Sequence, residues 1–215
     1  MCIRDRYNIS ALGDVHVTAE LILKGEQELP NLPKFGMQMV MFGQFENLSW
    51  FGRGPHESYW DRKSSARVGL YKSRVVTQVH DYSRPQENAN KTDVRWMTMQ
   101  NNSNTGMMVV SDSVLNMSAW PYLQRDIDFI AGKDGSSSAS GLVPVTTKHG
   151  AEVPIRNLVT VNIDHLQMGV GGDTSWGRLV HEQYTIPAKG YKYSFTLKPF
   201  KHNLKPLSDL AKTVK

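Results

Sequence analysis

Apolar and polar residues alternate with a period of two along most of this chain, and that spacing predicts strands. Val15, Val17, Ala19 and Leu21 alternate with His16, Thr18 and Glu20, the pattern of a half-buried strand. Residues 25–33, rich in Pro, Gly and Asn, follow as a loop. Phe35, Met37, Met39 and Met41 then share one side of a second strand, and a short strand over 45–51 carries Trp50 and Phe51 at its end. Residues 74–82 read as a strand, 94–100 as another, and 107–111 with 115–119 as a hairpin turning at Asp112 and Ser113. Residues 132–141, almost all small or polar, read as a flexible loop, and 158–163 and 191–197 as two last strands. Helical spacing is confined to residues 207–214. Strands recurring every 8–12 residues or so predict an all-β, mostly antiparallel domain.

Composition narrows the partners more than the fold. The 215 residues are 40% hydrophobic, enough for a sizeable core. A net charge of +5 invites a nucleic-acid reading, but residues 198–215 carry five lysines against Asp209 alone, and the remaining body is nearly neutral. A basic tail is not the basic face that nucleic acid requires, so no nucleic-acid partner is expected. No apolar run approaches the ~20 residues that span a bilayer, so no membrane partner is expected either. Cys2 is the single cysteine, which rules out an internal disulfide and a zinc site built on paired thiolates. The seven histidines lack paired ligand spacing, so no metal site is expected in this chain. Residues 1–6 read as a non-native leader ahead of a domain over 7–200 and a basic tail over 201–215, with the natural polypeptide expected to extend upstream. A cytoplasmic location is favoured, and the periplasm and secretion stay open for the same reason.

Residues 161–177, V-N-I-D-H-L-Q-M-G-V-G-G-D-T-S-W-G, organise the chain. The first half alternates as a strand, with Val161, Ile163 and His165 on one face and Asn162, Asp164 and Leu166 on the other. Gly169, Gly171 and Gly172 then break the pattern, Asp173 and Ser175 can tie a turn, and Trp176 stands at the tip. A tryptophan on a polar glycine-built loop is either a platform for a sugar ring or an ordinary packing residue folded back, and both readings stand at this point. The loop is not a dinucleotide fingerprint, because Thr174 takes the third glycine position and no helix pattern follows.

Two further clusters carry chemistry. His56, Glu57, Tyr59, Trp60, Asp61 and Arg62 follow Gly54-Pro55. Histidine beside carboxylates on a rigid turn serves proton transfer, whereas the structural alternative is a buried polar knot in which Asp61 and Arg62 close a tight connection. Pro85-Gln86-Glu87-Asn88 precedes Asp93, Arg95 and Trp96, where Arg95 has Glu87 or Asp93 as a partner within reach.

These three segments together resemble the small chain of the large β-galactosidases of glycoside hydrolase family two. N-I-D-H-x-Q-M-G-V-G-G-D-x-S-W-G is similar to the hallmark of that domain. W-F-G-x-G-P-H-E-x-Y-x-D-R and P-Q-E-N-x-N-K-x-D-V-R-W match its other segments in the same order, over roughly residues 32–199. Thr174 departs from the aspartate usual in the hallmark. The resemblance implies a large antiparallel β-sandwich of the supersandwich, galactose mutarotase-like kind. Both catalytic glutamates would lie in a barrel domain outside this chain, so no catalytic residue is expected here. That fits the sequence, where no pair of carboxylates declares the ~5–5.5 Å separation that retention needs. Trp176 is then the implied substrate-binding residue, stacking on the sugar beside the galactose, with Gly171, Gly172, Asp173 and Ser175 supporting its loop. His56, Glu57, Asp61 and Arg62 become structural. The resemblance further implies partnership with the barrel and other domains, a galactoside substrate and a homo-oligomer. It implies no cofactor in this chain, with a divalent and a monovalent cation held by the other domains.

Two other classes compete. A free-standing aldose mutarotase would use a histidine and a glutamate, His56 and Glu57 being the nearest pair, and polarimetry would reveal it. A non-catalytic carbohydrate-binding module would bind galactose or lactose in calorimetric titration.

Overall fold

A computed structural model describes residues 2–24, 29–82, 87–127, 150–171, 179–201 and 206–213. Nine strands account for most of them: β1 (Cys2–Ile9), β2 (Val15–Ile22), β3 (Lys34–Phe42), β4 (Asn47–Gly54), β5 (Arg67–Arg74), β6 (Lys91–Gln100), β7 (Thr105–Trp120), β8 (Leu158–Gln167) and β9 (Tyr191–Lys201). The two α-helical segments among the described residues, Gln124–Ile127 and Leu207–Ala211, are a turn or so each. Every strand pairing is antiparallel. The all-β antiparallel architecture expected from the alternation is the one observed, and it is sandwich-like, as the resemblance implies.

β7 decides the topology. The sheet runs β1-β2-β9-β7-β6-β4-β5, and β8 leaves it at β7, carrying β3 on its far side. The first half of β7, Thr105 to Ser111, pairs with β9, and the second half, Asn116 to Trp120, pairs with β8. Its sixteen residues thus fork the sheet, where a hairpin about Asp112 and Ser113 was expected. The apolar pattern does break at Ser111 to Ser113, but these residues are partly or fully exposed on a strand that continues, and nothing there reverses the chain. The strand expected over 74–82 is likewise corrected. The strand is β5, ending at Arg74, followed by a single 3-10 turn at Val75–Thr77. β5 reads poorly in sequence because it is an edge strand, exposed at alternate positions, with little apolar burial to mark it.

The two arms of the fork close on one another over the core. Val17, Ala19 and Leu21 of β2 and Tyr193 and Phe195 of β9 face Val161 and Ile163 of β8 and Met37 and Met39 of β3. The Phe35 ring meets Tyr193 edge-on at 5.4 Å, and the Tyr193 hydroxyl donates to the Ile163 carbonyl at 2.9 Å, pinning arm to arm. Fully burying a side chain such as Val17, Leu21, Ile163 or Phe195 contributes about 1.5–3 kcal/mol relative to exposure, while Met37 and Met39 pack against this core partly buried. His165 belongs to this core as an aromatic, its ring stacked on Tyr193 at 5.4 Å, and burial pulls its pKa down. Trp120, Tyr122, Ala89, Ile127 and Val153 form a separate, smaller cluster. The expected loop over 132–141 lies outside the described residues.

Candidate functional site

The segment between β4 and β5, entered through a cis Gly54–Pro55 peptide, brings the three sequence motifs together. Its centre is Glu57. The Arg62 guanidinium donates to Oε1 at 2.6 Å, and the Tyr82 hydroxyl donates to the same oxygen. The backbone N–H of Ala89 donates to Oε2 at 2.9 Å and the Tyr59 hydroxyl at 3.3 Å. One carboxylate thus gathers residues from the 55–62 turn, from the end of the 78–82 stretch and from the start of the 87–90 stretch. Burial, with the charge of Glu57 added, pushes the Tyr59 phenol far above its ordinary range, so it remains a donor at any ordinary pH. Arg62 also lies over the Tyr59 ring, 5.0 Å from its centre.

Ala89 shows what this clasp holds in place. Its φ of 59° lies in the left-handed region, disfavoured for a residue with a Cβ. Glu57 fixes its amide, and the Lys91 ammonium fixes its carbonyl at 2.9 Å. Lys91 is almost wholly buried, 5.4 Å from the Trp50 ring centre, and burial pulls its pKa down to about 8 against the opposing charge of Glu57. A lysine next to polar Asn90 and Thr92 reads as solvated in sequence, and the Trp50 ring beside its ammonium belongs to another strand.

Of the pair within the 55–62 turn, Arg62 does what the polar-knot alternative describes, its backbone N–H closing on the Tyr59 carbonyl at 3.0 Å. Asp61 points elsewhere. Its carboxylate accepts from the N–H of Val170 at 3.2 Å and of Gly171 at 2.7 Å, at the root of the glycine loop 109 and 110 residues away. A Cβ on Gly169 would lie 2.6 Å from Asp61 Oδ2, so the missing side chain is what admits the carboxylate. His56 stands apart, exposed, with Nε2 3.1 Å from the Ser65 hydroxyl. With Glu57, His80 and Tyr82 it lines a shallow cleft of about 300 Å³. Gly172, Asp173, Ser175 and Trp176 lie outside the described residues, as do Pro85 and Gln86.

The ion pairs of the third motif differ from expectation. Asp93 binds Arg53 at 2.5 Å and Lys63 at 3.2 Å, and Glu87 pairs with Lys34 at 3.3 Å. Arg95 donates to the backbone carbonyl of Asp93 and lies over the Phe51 ring, so it pairs with neither carboxylate. The reason is the left-handed backbone of Asp93 (φ 53°), at a register shift between β6 and β7 that turns its carboxylate toward the β4–β5 connection.

Asp164, in the hallmark itself, is buried between β3 and β7, opposite Gly36. Burial pushes its pKa to about 7 against the pull of Lys34, with Glu87 adding to the rise. The folded chain then keeps this proton up to about pH 7, while an unfolded aspartate releases it near 4. Between those values the unfolded state binds fewer protons, so this group lowers stability as pH rises from about 4 to about 7. Asp164→Asn is expected to flatten that part of the urea-unfolding profile against pH. An unchanged slope would mean that Asp164 is ionised in the fold.

Among the described residues no group of three or more His, Cys, Asp or Glu side chains is placed to hold a metal ion. Among them, too, no helix is long and apolar enough to cross a membrane.

Comparison with known proteins gives these motifs their family. The profile described as the β-galactosidase small chain matches residues 3–197. A β-galactosidase of Priestia megaterium is 37% identical over 187 residues, 86% of this chain and 16% of that protein. One from Halalkalibacterium halodurans is 31% identical over 166 residues, covering 77% of this chain and 15% of the relative. One from Streptococcus thermophilus is 29% identical over 194 residues, covering 90% and 17%. The chain therefore spans about one sixth of the length of these curated relatives. A match across nearly all of its strands, joined by a clasp built from its own three motifs, makes the chain a member of the β-galactosidase small-chain family.

Proposed function

We propose that this chain is the C-terminal part of an enzyme that hydrolyses terminal β-D-galactose from galactosides such as lactose, and that it lends Trp176 to an active site whose catalytic glutamates lie in another domain. The observation that carries the reading is the family match over residues 3–197 in a chain one sixth as long as its β-galactosidase relatives. The arrangement of the described carboxylates supports it. Glu57 spends its oxygens on Arg62, Tyr82, Ala89 and Tyr59, Asp61 on two backbone amides, and Asp93 on Arg53 and Lys63. These groups build the fold of the site rather than stand ready for bond cleavage. The purified chain alone is expected to leave a chromogenic galactoside untouched, and dye release at enzymatic rates would overturn the division of labour.

In the complete polypeptide, Trp176 is the stacking platform for the sugar next to galactose. Loss of an exposed stacking aromatic costs about 1–2 kcal/mol, some five- to thirtyfold in affinity. Trp176→Ala is expected to weaken glucose, measured as acceptor and as competitive inhibitor, by that factor, and to slow cleavage of a nitrophenyl galactoside less. Unchanged glucose affinity would remove Trp176 from the site.

A further inference from the structure

β3 pairs with β8 alone, so among the described residues no strand lies along its other side. Backbone N–H and C=O groups in an antiparallel pair point alternately toward the partner and away, so about half of those on this nine-residue strand face outward. Free edges are ordinarily blunted by charge, proline or brevity. β5, also a free edge, follows that rule with Arg67, Lys72 and Arg74. β3 does not. After Lys34, which pairs with Glu87, the run Phe35 to Phe42 holds no charged residue and no proline.

The side chains along this edge are apolar on both faces. Met37, Met39 and Met41 pack against the core yet are only partly buried. On the opposite face Val40 is 54% and Phe42 78% exposed, and with Phe45, Met107 and Leu158 they line an open cleft of about 540 Å³. Gln38, the polar residue of that face, donates to Asn162 of β8 at 2.7 Å and so leans away from the edge. Single exposed apolar residues need no explanation, but these adjoin a row of outward backbone groups. A strand laid along β3 would take up those groups in register. Its own alternating side chains would cover Met37, Met39 and Met41 on one face and Val40 and Phe42 on the other.

We infer that the free edge of β3 is a strand-addition surface, and that its occupant is an extended segment, apolar at alternate positions, from the β-galactosidase polypeptide outside this chain. This rests on the reading of the chain as one part of a larger enzyme. The chain is about one sixth as long as its relatives, so most of such an enzyme lies beyond the described sheet. A second copy of this chain fits less well. Two β3 strands paired about a twofold over their full length would set the charged Lys34 of one against the apolar Phe42 of the other.

The test measures amide hydrogen exchange over residues 35–42 in the 215-residue chain and in the complete β-galactosidase polypeptide carrying it, with galactosidase activity read on both samples. In the chain alone the outward amides are expected to exchange fast at every protein concentration. In the complete polypeptide the same amides are expected to slow about a hundredfold. V40K/F42K supplies a second reading. Both positions are exposed in the chain, so its melting temperature is expected to stay within about 2 °C. In the complete polypeptide the two lysines are expected to return residues 35–42 to fast exchange. If that variant does not fold, the comparison of the unaltered forms decides. Equal exchange in the two unaltered forms overturns the inference: fast in both leaves the edge open, and slow in both means that the chain covers it by itself. Protection in the chain alone that grows with concentration also overturns it, the occupant then being a second copy. Slow exchange in the complete V40K/F42K polypeptide overturns it too, since the edge would then be covered without contact to these side chains. Galactosidase activity in the chain alone overturns instead the reading of the chain as a part without catalytic groups, whatever the exchange shows.

Discussion

Glu57→Ala is expected to destabilise the chain by about 2–4 kcal/mol, read as a shift in the urea midpoint at constant slope. The substitution leaves the Ala89 N–H and the hydroxyls of Tyr59 and Tyr82 without their acceptor, and removes the partner of Arg62. Tyr59 is only 1% exposed, so water cannot reach in to replace what is lost. The left-handed backbone of Ala89 also loses one of its two restraints. Arg62→Ala removes the same ion pair from its outer end, where the side chain is half exposed. It should cost well under half as much, because solvent takes over there. Equal losses in the two variants would mean that the ion pair, rather than the gathering of three chain segments, is what Glu57 contributes.

Gly36→Ala is the second large effect, expected at about 3 kcal/mol or more by the same measurement. An alanine Cβ there would lie 1.8 Å from Asp164 Oδ1 and 2.6 Å from the Asp164 Cα. Moving the carboxylate alone would not relieve the second overlap, so β3 would have to part from β8 at its register shift between Phe35 and Gly36. Gly190 supplies the contrast. Its Cβ position has the Leu21 carbonyl as nearest neighbour at 3.4 Å, and Gly190→Ala should change stability by less than about 1 kcal/mol. If the two alanines behaved alike, the close packing of Asp164 against Gly36 would not be a feature of the folded chain.

The candidate site was legible in its parts but not in its connections. The cluster over 54–62 and the glycine loop each stood out by composition, and the polar-knot alternative named Asp61 and Arg62 as the pair that closes the connection. What joins them, Asp61 on the amides of Val170 and Gly171, crosses more than a hundred residues and leaves no periodicity behind. The contact is also half backbone, and a backbone amide has no identity in a sequence. Lys91 was missed for a related reason, since its neighbours in sequence are polar while its neighbours in space are Trp50 and Glu57.

By itself the sequence determined the strands whose alternation faces the core, β2, β3, β8 and β9 above all, and through them an all-β antiparallel fold. Side-chain alternation follows from the geometry of one extended strand, so it is readable wherever one face is buried. The three motifs and their order likewise sufficed to point to the family. Only the tertiary structure decided that β7 runs unbroken and forks the sheet, that the strand after Gly54 is β5 rather than 74–82, and that Asp61 answers to Gly171 rather than to Arg62. Each of those outcomes turns on which distant segment supplies a partner, and pairing energy of that kind is recorded in three dimensions, not along the chain.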